Sequence, residues 1–185
     1  MTASGGARWY GEPMSRPLLD DAFGHHTWAT TQLIDACLAL ESGQLDTVVP
    51  GTFGSVIDTL RHTVAADCGY LYTLTGGRHA EISDEDEARM DLAALRAAIV
   101  ANGPDWATLV ATDIDPELDV VRHREDGTDS HAPLGIRLAQ GLHHGTDHRS
   151  QICTALTTLG VEPPAIDVWD FARQDGRTFV TEAVS

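Results

Sequence analysis

The chain has 185 residues, 42% apolar and 22% charged, and a formal charge of −16 from 12 basic against 28 acidic side chains. That length buries a core without disulfide staples and amounts to one domain. An acidic surface of this strength repels phosphate backbones and anionic lipid, so neither nucleic-acid nor membrane binding is expected.

Residues 1–17 carry Gly5, Gly6, Gly11, Pro13 and Pro17 and read as a loose N-terminal segment, leaving 18–185 as a single domain. A first helix is expected from about Leu18 to Leu40. Phe23, Thr27, Leu33, Ile34, Cys37 and Leu38 recur at helical spacing, and Glu41-Ser42-Gly43 closes it. A second helix opens at Thr52 as N-cap and runs to about Thr75. Phe53, Val56, Ile57, Leu60, Val64 and Leu71 form its stripe, and Gly76-Gly77 stop it.

Arg78 to Glu87 is an acidic loop that lacks the ligand spacing and central glycine of an EF-hand. A third helix is predicted from about Asp86 to Thr112, with Leu92, Leu95, Ile99, Trp106 and Leu109 as its contacts and a bend or break at Gly103-Pro104. Ile114 to Ser130 is irregular, with a DGTD turn signal that suits a short hairpin. A fourth helix runs from about Pro133 to Leu159 and ends at Gly160; a proline turn and a short amphipathic helix with Trp169 and Phe171, read as core caps, follow. Long helices with little strand signal predict an all-α protein, an antiparallel four-helix bundle with a short C-terminal helix.

Three cysteines, Cys37, Cys68 and Cys153, show no CxxC pair and read as buried reduced thiols. No apolar run approaches the ~20 residues of a membrane span, and no secretory h-region is visible, so the expected location is cytoplasmic.

The chemistry concentrates in the histidines. His144 and His148, four apart on the fourth helix, place two imidazoles on one face, one turn apart. The spacing resembles half of a metalloprotease HExxH, but Gly145 stands where the general-base glutamate would be, which rejects that reading. A third ligand must come from another helix. His62 is the best candidate, because Ser55, Thr59, Ala66 and Gly69 on its face are small and leave room above the backbone. Asp67, five residues on, rotates away and reads as a surface group or one behind the ligands. Asp147 reads as surface charge. Gln151 shares the face of His148 and could orient a ligand or a water. Arg149 reads as a structural ion pair. Of His25 and His26, one could border the pocket, with an exposed rim position as the alternative; His79, His123 and His131 fall in loop-like sequence.

TFGSVIDTLRHTVAADCGYLYTLTGG and LHHGTDHRSQICTALTTLGVEPPAIDVWDF, with WATTQLIDACLAL ahead of them, resemble the DinB/YfiT-like superfamily of metalloenzymes over about Leu18 to Phe171. The most specific element is the fourth-helix H-x-x-x-H-R-x-Q. Ser150 stands where that pattern often has glycine, and His143 adds a histidine beside the first ligand position. The resemblance implies a four-helix bundle holding a divalent metal, zinc or nickel, on three histidines, here His62, His144 and His148. It also implies a small-molecule substrate, a homodimer, and in some members a low-molecular-weight thiol such as mycothiol.

Three neutral imidazoles leave a metal open positions, as in catalytic rather than structural zinc sites. Such a metal lowers the pKa of a bound water or thiol. The expected function is therefore a metal-dependent thiol S-transferase or hydrolase, with a non-catalytic metal-binding stress or sensor protein as the alternative; Thr59, Gln151 and His26 are the expected pocket residues. An enzyme predicts an open site, a binder a fourth protein ligand.

Overall fold

The computed structural model describes residues 18–124 and 126–182, so the loose segment expected over residues 1–17 lies outside the described residues. Helix α1 (Asp20–Cys37) opens with two acidic residues against its dipole and buries Phe23, His26, Thr30, Leu33, Ile34 and Cys37 at three- and four-residue spacing. It ends earlier than expected, because Glu41 and Gln44 form a reciprocal capping box that starts the separate turn α2 (Ser42–Leu45). Gly43 therefore lies inside a helix rather than ending one.

Helix α3 (Val56–Leu74) is capped by Ser55, whose hydroxyl accepts from the Asp58 amide; Thr52 lies in the preceding loop, which corrects the expected start. Gly76 and Gly77, both at positive φ, terminate it, the Gly77 amide donating to the Tyr72 carbonyl. Within the expected acidic loop, Ser83 caps a short exposed helix α4 (Asp84–Arg89). Asp91 then caps α5 (Leu92–Val110). The long third helix is thus two helices, broken at Met90 and Asp91 rather than at Gly103-Pro104. Pro104 sits within the continuous α5, and Gly103 lets α1 approach: a Cβ there would stand 3.3 Å from Thr27 Cγ2.

The hairpin forms as β1 (Asp119–His123) and β2 (Asp129–Pro133), antiparallel with Val121 opposite His131. Helix α6 (Leu134–Thr158) ends at Gly160, again at positive φ, and α7 (Val168–Gln174) is capped by Asp167. Phe171 packs against Trp28 of α1, whereas Trp169 is 66% exposed and caps nothing, contrary to the expected pairing. No helix among the described residues is long and apolar enough to cross a membrane.

The four long helices share two apolar layers. One holds Leu33 and Ile34 of α1, Leu60 and Val64 of α3, Leu95 and Ile99 of α5, and Ile152 and Leu156 of α6. The other holds Phe23, Leu71, Trp106, Val110, Leu134 and Leu138. Each helix crosses from one layer to the other, and the order gives its direction. Helices α1 and α6 cross one way, α3 and α5 the other. The contacting pairs α1–α5 and α3–α6 are therefore antiparallel, while α3–α5 and α1–α6 are parallel. The uniformly antiparallel arrangement expected from the sequence is corrected here. The segment from Thr75 to Asp91 carries the chain back alongside α3, where the Arg61 side chain donates to the Met90 carbonyl.

Between the apolar layers lies a buried polar one, with one or two residues from each long helix. Asp67 and His26 are each 2% exposed, with Thr30, Asn102 and Arg149 beside them. Asp67 accepts from Asn102 Nδ2 at 2.6 Å and from Trp106 Nε1 at 3.1 Å, and lies 2.8 Å from His26 Nε2. Arg149 can only donate, so His26 Nδ1, 3.1 Å from its Nη1, accepts; the His26 proton therefore sits on Nε2 and points at Asp67. Arg149 also donates to the hydroxyls of Thr30 and Thr146. Buried charges persist only when their hydrogen-bonding capacity is met, and this layer meets it across all four helices.

Candidate metal centre

Three imidazoles converge on the outer side of the α3–α6 seam. His144 Nε2 lies 3.1 Å from His62 Nε2 and 3.2 Å from His148 Nε2. The three candidate ligand atoms all fall within 4.8 Å of one another, and no fourth histidine, cysteine or carboxylate joins this cluster among the described residues. The α6 pair follows from one turn of helix. Its meeting with His62 follows from the packing of α3 on α6.

The protonation of the cluster can be read from its neighbours. Gln151 Oε1 accepts from the Phe53 backbone N–H at 2.9 Å, and a backbone amide can only donate, which assigns that atom as oxygen. The same oxygen lies 3.0 Å from His148 Nδ1, so Nδ1 carries a proton and the ring turns its Nε2 toward the cluster. Burial, followed by the neighbouring His148 and His62, lowers the pKa of His144 to about 4; burial and then His148 lower that of His62. At neutral pH these two rings are therefore uncharged, the form that binds metal.

This arrangement fits a metal ion. Nitrogens at ~2.05 Å from a tetrahedral ion stand about 3.3 Å apart, close to the two spacings observed. His144 Nε2 takes part in both contacts, yet it offers either one proton or one lone pair, so hydrogen bonding cannot fully satisfy the two at once. A cation among them satisfies all three.

Aromatic rings frame the cluster. Phe53 stacks on His62 with centroids 4.0 Å apart and planes 10° apart, and meets His148 edge-on. Tyr70, two turns along α3 from His62, stands edge-on to His144, and its hydroxyl accepts from Gln140. Sequence periodicity placed Phe53 on the core stripe; it lies instead in the loop before α3, 55% exposed, and borders a cavity of ≈ 290 Å³ with Asp58, Arg61, Asp84, Glu87 and Ala88.

The other expected pocket residues divide. Gln151 touches His148, as described. Thr59 is buried, but its hydroxyl donates to the Ser55 carbonyl of its own helix. His26 belongs to the polar layer rather than to the cluster. Asp67 is no surface group. Its position at Val64 + 3 and Leu71 − 4 continues the apolar stripe of α3, a sequence signal for burial. Arg149 finds hydroxyls and His26 rather than a carboxylate. His143 and Asp147 are exposed. His25 is half-buried against the Ile166 carbonyl, while His79, His123 and His131 pair with Asp105, Asp129 and Asp119. The cysteines are free thiols, and burial raises the pKa of Cys37 to about 12 and of Cys68 to about 11, so both stay protonated.

Fold and site together define a mostly helical protein with a three-histidine cluster able to hold a metal ion. The chain belongs to the DinB family, whose model matches residues 14–178. No curated protein matches it significantly.

Proposed function

We propose that this chain is a divalent-metal-binding DinB protein, acting as a metal-dependent thiol S-transferase or hydrolase on a small molecule. In this reading α1, α3, α5 and α6 form a four-helix bundle that serves as a rigid frame for His62, His144 and His148. The observation that carries it is the convergence of three Nε2 atoms, with the His148 ring oriented by Gln151.

A divalent ion there, zinc or nickel as the family resemblance suggests, would supply Lewis acidity and depress the pKa of a water or thiol beside it. The chain's own residues do the rest. Gln151 holds the His148 ring in its ligating tautomer. Phe53 screens the outer face of His62. With no fourth histidine, cysteine or carboxylate in the cluster among the described residues, the site has the open character of catalytic centres, which favours turnover over storage or sensing. Family resemblance is what suggests a low-molecular-weight thiol such as mycothiol, and a homodimer.

The test is elemental analysis of freshly purified protein, then transfer and hydrolysis assays with a panel of small thiols. One equivalent of zinc or nickel per chain with thiol-dependent turnover is expected. Metal-free protein that takes up neither ion would sink the reading; stoichiometric metal without turnover across the panel would favour the sensor.

A further inference from the structure

Gln151 joins two things that sequence separates, a ring of the histidine cluster and the loop ahead of α3. Its one side-chain oxygen accepts from His148 Nδ1 at 3.0 Å and from the Phe53 amide at 2.9 Å. The loop has independent reasons to hold a defined shape. The Thr52 hydroxyl donates to the carbonyls of Val49 and Gly54, Val48 pairs with Ser55, and Gly51 takes a positive φ of 89°. At its tip the Phe53 ring lies flat on His62 while more than half exposed. A large apolar side chain left that open, yet seated on a candidate ligand, is placed to cover that ligand rather than to fill a core.

We propose that Gln151 is a positioning residue that couples the metal centre to this loop, so that the orientation of His148 and the seating of Phe53 over His62 are held by one acceptor. The inference rests on the metal-centre reading. A metal that fixes the His148 ring by Nε2 also fixes Nδ1–H, and with it the oxygen that anchors the Phe53 amide. Coupling runs equally in the other direction, because linkage is reciprocal. A seated Phe53 steadies Gln151, and Gln151 steadies the ligand.

The experiment compares wild type with Gln151→Leu and Gln151→Glu. Leucine removes the acceptor at similar size, whereas a glutamate carboxylate still accepts from both donors. Amide hydrogen exchange at Phe53 is read with and without added zinc, and zinc affinity by calorimetric titration. In metal-free protein, Gln151→Leu is expected to speed Phe53 exchange roughly 5- to 30-fold, the scale of one lost hydrogen bond. Its zinc affinity should fall about 10- to 100-fold, as for other groups that orient a ligand histidine. Gln151→Glu should restore both. Zinc should slow Phe53 exchange in wild type and in Gln151→Glu, but not in Gln151→Leu.

Equal zinc affinity in all three proteins, or a zinc-insensitive Phe53 amide in the wild type, would overturn the coupling while leaving the metal centre standing. Equal weakening in both variants would reduce Gln151 to a packing residue and also overturns it. A wild type that binds neither zinc nor nickel overturns the metal centre, and the coupling with it.

Discussion

Gly145 of α6 lies flush against the imidazole of His26 on α1. A Cβ at that position would collide with His26 Cε1, and would approach His26 Nδ1 to 2.8 Å and Arg149 Nη1 to 2.9 Å. This is the position that carries the general-base glutamate in a metalloprotease helix. Here its Cα faces the buried polar layer, one residue after a ring of the histidine cluster. The glycine is required by a close approach and not by backbone conformation, since Gly145 is not among the residues at positive φ.

Gly145→Ala therefore sets two effects against each other. Alanine gains about 1 kcal/mol of helix propensity. Overpacking against a ring pinned by Asp67 and Arg149 costs roughly 1–3 kcal/mol, and the ring cannot yield without breaking buried hydrogen bonds. Net destabilisation is expected in chemical denaturation. A gain in stability would show that α1 and α6 are not this close.

Removing any one imidazole should cost metal before it costs fold. His62→Ala, His144→Ala and His148→Ala each leave two ligands, and the rings sit at the edge of cores that α1, α3, α5 and α6 complete without them. Metal content by elemental analysis should fall to background in each, with far-ultraviolet circular dichroism unchanged. A variant that keeps a full equivalent of metal would disprove that histidine's role.

Asp67 gives the fold an acid limit. Burial opposes its ionisation, but hydrogen bonds from His26, Asn102 and Trp106 outweigh that and hold its carboxyl below the ordinary value. A depressed folded-state pKa contributes stability that is complete above the unfolded value of about 4 and is lost as pH falls below it. Asp67→Asn should cost roughly 1–3 kcal/mol at neutral pH, since an amide in place of the carboxylate cannot accept from all three of its buried donors. Its stability should also fall less steeply than the wild type's below about pH 4. Parallel acid-denaturation curves would rule out this assignment.

Trp106→Phe isolates one donor of the same layer. The indole N–H spans both oxygens of Asp67, while the ring stacks on Phe23 at 4.3 Å between centroids. Phenylalanine keeps much of the stack and loses the donor, so a loss of roughly 1–3 kcal/mol is expected by denaturant titration. A neutral outcome would mean that Asn102 and His26 alone satisfy the carboxylate.

Much of this was readable along the chain, because helices are local. A period of 3.6 residues places His144, His148 and Gln151 on one face of α6 whatever surrounds it. Glycines at 76, 77 and 160 end their helices through backbone freedom that needs no partner. Periodicity misled where a short-range pattern had two physical outcomes. Phe53 extends the apolar stripe of α3 on paper, but Ser55 is the better cap and leaves Phe53 outside the helix, free to lie on His62.

Local chemistry thus decided which segments are helical, where most of them stop and which residues could be ligands, since each of those depends on neighbours within a turn or two. Packing decided that α3 and α5 run the same way, that His26 and Asp67 meet inside rather than at the surface, and that His62 comes to the α6 pair. Those outcomes depend on residues 41, 82 and more positions apart. Sequence spacing carries no distance between such residues. It is set only when apolar layers from four helices close together and force the polar side chains between them to find one another.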